Sequence, residues 1–206
     1  MNRELTGRFV VLEGGDASGK STQIARLVGR LTKAGREVVE TFEPGGTDAG
    51  RQIRALVLDG GATAIDARTE ALLMAADRAQ HVAEVVRPAL ARGAWVVSDR
   101  HVPSTLAYQG IGRDLDVDEL EQLSGWATAG LTPDLVLVLD VPDEVAAARR
   151  SVGDRMEREA ESFHAQVRAA YRSLAEERGW ILVDGSGDAD TVEDRVWAVV
   201  SQRLTP

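Results

Sequence analysis

Eight residues near the N-terminus bring together the groups that a phosphate chain requires. Gly14-Gly15-Asp16-Ala17-Ser18-Gly19-Lys20-Ser21 spells G-x-x-x-x-G-K-[ST] between an apolar, strand-like run and a helix-like one, the context in which this pattern forms a phosphate cradle. The glycines let backbone N–H groups converge on phosphate oxygens without obstruction from Cβ, and the following helix adds its positive N-terminal end. Lys20 offers a point charge to β and γ phosphates and Ser21 a hydroxyl to Mg²⁺. The stretch through Thr22 therefore reads as a nucleoside triphosphate site. Asp16 places a carboxylate inside a loop meant for anions. Turn chemistry gives it one role, accepting loop N–H bonds.

A second group of polar residues follows the third apolar run, in "SDRHVPSTLAYQG". At the end of a strand, Asp99 can orient the waters of Mg²⁺, and Arg100 can grip a phosphate with a two-pronged guanidinium.

The elements that must hold these groups are visible as alternating patterns. Strand-like runs fall at 9–12, 38–42, 95–98, 135–140 and 180–183, and helix-like segments at 20–34, 66–91, 117–129, 143–150, 159–178 and 191–204. Continuous strands alternating with helices predict a mostly parallel α/β sheet covered on both faces. Ligands in such sheets bind beyond the carboxyl ends of the strands, where both polar groups lie.

The whole chain narrows the choices further. Its 206 residues, 44% hydrophobic, suit one domain over 1–206. A formal charge of −9 argues against a nucleic-acid polymer as partner, which needs an extended basic surface, but leaves room for a small anion. The chain contains no cysteine, no apolar run long enough to span a bilayer and no signal-peptide pattern in "MNRELTGRF", so a soluble cytoplasmic protein is expected.

Six blocks in order, "LEGGDASGKST", "EPGGTDAGRQIRALVL", "ALLMAADRAQHV", "SDRHVPSTLAYQG", "TPDLVLVLDVP" and "DRMEREAESFHAQVRAAY", resemble the thymidylate kinases over nearly the full length. The resemblance implies a P-loop nucleoside monophosphate kinase fold, with a five-stranded parallel sheet, flanking helices and a short lid at about 149–159. It implies transfer of the γ-phosphoryl of ATP to dTMP with Mg²⁺, and a homodimer. Arg54 and Arg100 resemble the arginines that hold the acceptor phosphate, and Arg78 the one that reaches the thymine edge. Thr105 and Gln109 match base-pocket positions, and Tyr108 an aromatic beside the deoxyribose. Asp16 would face the acceptor's 3′-hydroxyl and the Mg²⁺ water shell, with Ser21 and Asp99 completing the metal site.

Ala17, a small residue after Asp16, is similar to family members that take their catalytic arginines from the lid, here Arg149, Arg150 and Arg155. Lid arginines would stabilise charge in the transition state, and closure would exclude water. No dedicated base is required, so His81, His101 and His164 read as surface or packing residues. Two positions depart from the family. Met74 stands where many relatives have a stacking Phe, and Phe42 where many have Arg before Glu-Pro-Gly-Gly. Both bear on base preference, which leaves another pyrimidine monophosphate as an alternative acceptor. A regulatory ATP-binding module without transfer is the alternative of another class.

Overall fold

Strands whose residues are apolar on both faces need cover on both sides, and β1 (Arg8–Glu13) has it: Phe9, Val10, Val11 and Leu12 are all fully buried. In the computed structural model, which describes residues 5–58, 65–149 and 155–204, β1 is the centre of a five-stranded, all-parallel sheet. Around it lie β2 (Val38–Phe42), β3 (Trp95–Asp99), β4 (Leu135–Asp140) and β5 (Ile181–Asp184), in the order β2-β3-β1-β4-β5.

Alternation along β1 divides the core. Val10 and Leu12 pack with Ile24, Leu27 and Leu31 of α1 (Lys20–Lys33) and with Val192, Val196 and Val200 of α9 (Ala189–Leu204). Phe9 and Val11 pack on the other face against Val82, Val86 and Leu90. A third cluster joins Phe163, Tyr171 and Leu174 of α8 (Glu161–Arg178) to Leu120 of α6 (Val117–Ala127) and to Tyr108.

The helix expected over 66–91 begins as α3 (Ala67–His81), capped by Asp66, whose carboxylate accepts from the Arg68 N–H at 2.9 Å. It passes through a π-helical turn, Val82–Val86, into α4 (Arg87–Ala91). Pro88 is the reason, since it has no N–H for the ladder and its ring crowds the carbonyl four residues back. Asp116 caps α6 in the same manner as Asp66, accepting from Glu119 N–H at 2.9 Å. The segment expected to end at residue 150 is α7 (Asp143–Arg149), with Arg150 outside the described residues.

Two helical stretches were not anticipated. α2 (Asp48–Leu58) opens where the Gly50 N–H donates to Thr47 Oγ1 at 2.9 Å, and its inward side runs from Gly50 through Ile53 to Val57 and Leu58. The stretch after β3 is α5 (Val102–Thr105) followed by a π-helical turn, Leu106–Ile111.

Candidate active site

β1 and β3 are neighbours in register, Leu12 beside Asp99, so the loops leaving their carboxyl ends share one rim. Gly14 has φ of 135°, and a Cβ there would meet the Leu139 carbonyl oxygen at 2.5 Å, so the chain can turn this sharply only without a side chain. Gly19, at φ 95°, then delivers the backbone into α1. Lys20 is buried in this turn, and its Nζ donates to the carbonyls of Gly14 at 3.1 Å and Gly15 at 3.0 Å. Two of its three donors are thus held on the loop's own backbone, leaving one. Burial and the neighbouring Arg100 charge lower its pKa, against the pull of Asp99, Asp16 and Glu13.

Arg100 leaves β3 with φ of 72°, which directs its guanidinium back over the phosphate loop. Its Nη2 donates to Asp16 Oδ1 at 2.6 Å and to the Tyr108 hydroxyl at 3.2 Å, and its Nη1 to the Gly14 carbonyl, Ser104 Oγ and the Tyr171 hydroxyl. Burial works to raise the Asp16 pKa, but Arg100 and Lys20 outweigh it and hold the carboxyl below its ordinary value. Asp16 Oδ2 is buried without a hydrogen-bond partner among the described residues, as are Ser18 Oγ and Asp99 Oδ1. His164 Nδ1 stands 3.6 Å from Asp16 Oδ2.

These loops form the floor of a cleft of about 650 Å³. It is lined by Asp16 to Thr22 and by Phe42, Arg54, Met74, Arg78, Thr105, Tyr108 and Gln109, with Asp99, Arg100 and Arg149 also on the wall. Phe42 is 45% exposed, and the Arg54 guanidinium lies 5.9 Å from its ring centre while donating to the Pro44 carbonyl at 2.9 Å. Arg78 is buried. Its Nε donates to Glu43 at 2.9 Å and its Nη2 to the His101 carbonyl at 3.0 Å, and Nη1 is left without a partner among the described residues.

Some expected residues are placed differently. Arg155 does not line the cleft. Its Nε donates to the Val57 carbonyl at 2.7 Å and its Nη2 to Glu70, because a buried carboxylate and a helix-end carbonyl outcompete open solvent for its donors. Arg150 lies outside the described residues. All three histidines are buried, none at the surface. His81 and His101 each direct Nδ1 to Glu43 Oε1, at 2.7 and 2.9 Å.

Sequence reasoning missed two buried carboxylates, Glu43 on the cleft wall and Glu13 beneath it. Glu13 accepts from His101 N–H, Ser104 and Tyr171, and burial raises its pKa despite those donors and Arg100. Glu43 anchors Arg78, and although burial opposes it, His101 and Arg78 hold its carboxyl well below the carboxylate range. Glu13 and Glu43 fall inside the quoted blocks, in "LEGG" and "EPGG", the first closing β1 and the second directly following β2. That position was the available signal.

Comparison with known proteins agrees with this geometry. A family model described as thymidylate kinase matches residues 12–196. A thymidylate kinase of Leifsonia xyli subsp. xyli is 52% identical over 90% of this chain and 90% of its own. One from Halothermothrix orenii is 44% identical over 94% of this chain and 96% of its own, and one from Solidesulfovibrio magneticus 44% over 95% and 100%.

Proposed function

The chain belongs to the thymidylate kinase family, and on that premise we propose how its cleft carries out the reaction. The enzyme is an ATP-dependent nucleoside monophosphate kinase that moves the γ-phosphoryl group of ATP to dTMP, giving dTDP and ADP. What supports the assignment of residues is their sharing of one cleft. Lys20, Ser21, Asp16, Arg54 and Arg100 all line it, and Arg100 bonds Asp16 directly.

The phosphate loop and Lys20 receive the triphosphate, with Gly14, Gly15, Ala17, Ser18, Gly19 and Thr22 shaping the cradle. Arg54 and Arg100 hold the acceptor phosphate, Arg78 offers its unpartnered Nη1 to the base, and Met74 and Phe42 cover the ring. Tyr108 packs beside the deoxyribose. A nucleotide monophosphate has a second pKa near ~6, so its oxygen is already a nucleophile at neutral pH. An acceptor oxygen bonds to the γ-phosphorus as the bond to the β–γ bridging oxygen breaks. The protein aligns the two nucleotides and offsets charge, Arg149 at the cleft wall doing so from the lid side.

No cluster of three or more metal-ligating side chains occurs among the described residues. Mg²⁺ in kinases needs only one or two carboxylates beside phosphate and water, and the unpartnered oxygens of Asp99 and Asp16, with Ser21, fit that need. Held there partly through water, the ion would neutralise charge on the β and γ phosphates. We place the activity in the cytoplasm, and among the described residues no helix is long and apolar enough to cross a membrane.

We also infer a homodimer. Supporting it are Leu56 on α2, Leu72 on α3 and Trp126 on α6, exposed by 62%, 58% and 82% on helices where α3 packs against both of the others.

The test is ADP release with ATP and a panel of nucleoside monophosphates. Stimulation should be greatest with dTMP. A larger response to dCMP or a purine nucleotide would overturn the acceptor assignment, and none from any acceptor would overturn transfer itself.

A further inference from the structure

Glu70, in the first turn of α3, is 1% exposed and serves no role assigned so far. Groups from three other segments converge on its carboxylate. Gln109 Nε2 donates to Oε1 at 2.8 Å, Arg155 Nη2 donates to Oε2, and Arg113 Nε lies 3.5 Å from Oε1. Arg155 is further tied by its own N–H to the Leu58 carbonyl at 2.9 Å. Burial alone would favour a protonated Glu70, but Gln109, Arg155 and Arg113 outweigh it and keep the carboxyl below its ordinary value.

An ionised carboxylate only accepts hydrogen bonds, so it dictates which end of the Gln109 amide it receives. The NH₂ must turn inward to Glu70. What Gln109 can then present to the cleft it lines is its carbonyl, an acceptor. A base with N–H at position 3, as in thymine or uracil, complements that carbonyl. Cytosine, whose N3 is itself an acceptor, does not.

We propose that Glu70 is a positioning residue that sets acceptor-base selectivity, by fixing the Gln109 amide with its carbonyl toward the base. Because Arg155 shares the carboxylate, the lid segment is anchored at Arg155 to the same group that orients the base contact. This deepens the kinase reading above and rests on it. Discrimination of this kind can be large, since the wrong base leaves a buried polar group opposed by its like.

The experiment measures kcat and KM for dTMP, dUMP and dCMP in the unaltered chain and in Glu70→Gln. A neutral amide at 70 can donate as well as accept, so it releases Gln109 to turn. The dTMP-to-dCMP ratio of kcat/KM should fall about tenfold or more, one hydrogen bond being lost by dTMP and one gained by dCMP. The change should appear mainly as a higher KM for dTMP. The dTMP-to-dUMP ratio should stay as it was, both bases having N3–H. A merely structural role would lower kcat and the melting temperature together and leave the dTMP-to-dCMP ratio alone, and that result overturns the proposal. Glu70→Asp keeps the charge for Arg155 and Arg113 but shortens the reach to Gln109, and serves if the first variant does not fold. An unchanged ratio in either folded variant is disproof. Absence of dTMP-dependent ADP release in the unaltered chain would instead remove the kinase reading, and this inference with it.

Discussion

Asp77 illustrates what burial does to a single group on the cleft wall. Its Oδ1 accepts from the Gly45 N–H at 2.9 Å, and its Oδ2 has no hydrogen-bond partner among the described residues. Burial first, and then the neighbouring Glu43 charge, push its carboxyl up to about 6, with Gly45, His81 and Arg78 opposing. A folded-state value above the ordinary 3.8 means that the folded chain holds this proton more tightly than the unfolded one. The stabilisation is complete below the unfolded value and is lost as pH rises through the folded one. Asparagine resembles the protonated acid at every pH, so the melting temperature of Asp77→Asn relative to the unaltered chain should climb between about pH 4 and about pH 7, then level off. A constant difference across that range would show that Asp77 does not titrate there. Residues of this kind are the least legible in a sequence. Lys20 and Ser21 announce themselves by motif, whereas Glu13, Glu43 and Glu70 look like any solvated acid until the fold surrounds them with donors.

At the scale of elements, the phosphate loop draws its shape from its backbone more than from its charges. Gly14 has no room for a methyl group beside Leu139 and lies in the left-handed half of conformational space. Gly14→Ala should strain the turn by about 1–3 kcal/mol. Calorimetric titration should then show ATP binding weakened by roughly one to two orders of magnitude, with dTMP affinity little changed. An unaltered ATP affinity would mean that the turn relaxes freely. The five strands could be read from their short apolar runs and most of the helices from helical spacing of apolar residues. α2 could not, since its inward stripe, Gly50, Ile53, Val57 and Leu58, begins on a glycine and shares its sequence with exposed Leu56, so few large apolar residues mark it. Nor could the division of the 67–91 region, where Pro88 reroutes the hydrogen bonds without disturbing the apolar pattern. The placement of Arg155 was illegible for a related reason: its position within the lid segment does not reveal that α2 ends beside it, with the Val57 carbonyl accepting from its side chain.

For the molecule as a whole, net charge and local charge differ. The chain has a formal charge of −9, whereas the cleft gathers Lys20, Arg54, Arg78, Arg100 and Arg149 against Asp16, Glu43, Asp77, Asp99 and Glu157, so cations and acids are matched in number there. The apolar exposure on α2, α3 and α6 is the other large-scale feature, and Trp126 is its most prominent member. The unaltered chain should sediment as a dimer, and Trp126→Glu should fold normally and sediment as a monomer. A dimeric variant, or a monomeric unaltered chain, would remove this face from assembly. The Arg100–Asp16 pair has a consequence for both proposed nucleotide sites. One cation touches the phosphate loop at Gly14 and Asp16 and also the Tyr108 hydroxyl, so on the proposed reading a ligand at either site bears on the setting of the other. Linkage makes such an effect symmetrical: whatever factor ATP imposes on the affinity for dTMP, dTMP imposes on the affinity for ATP.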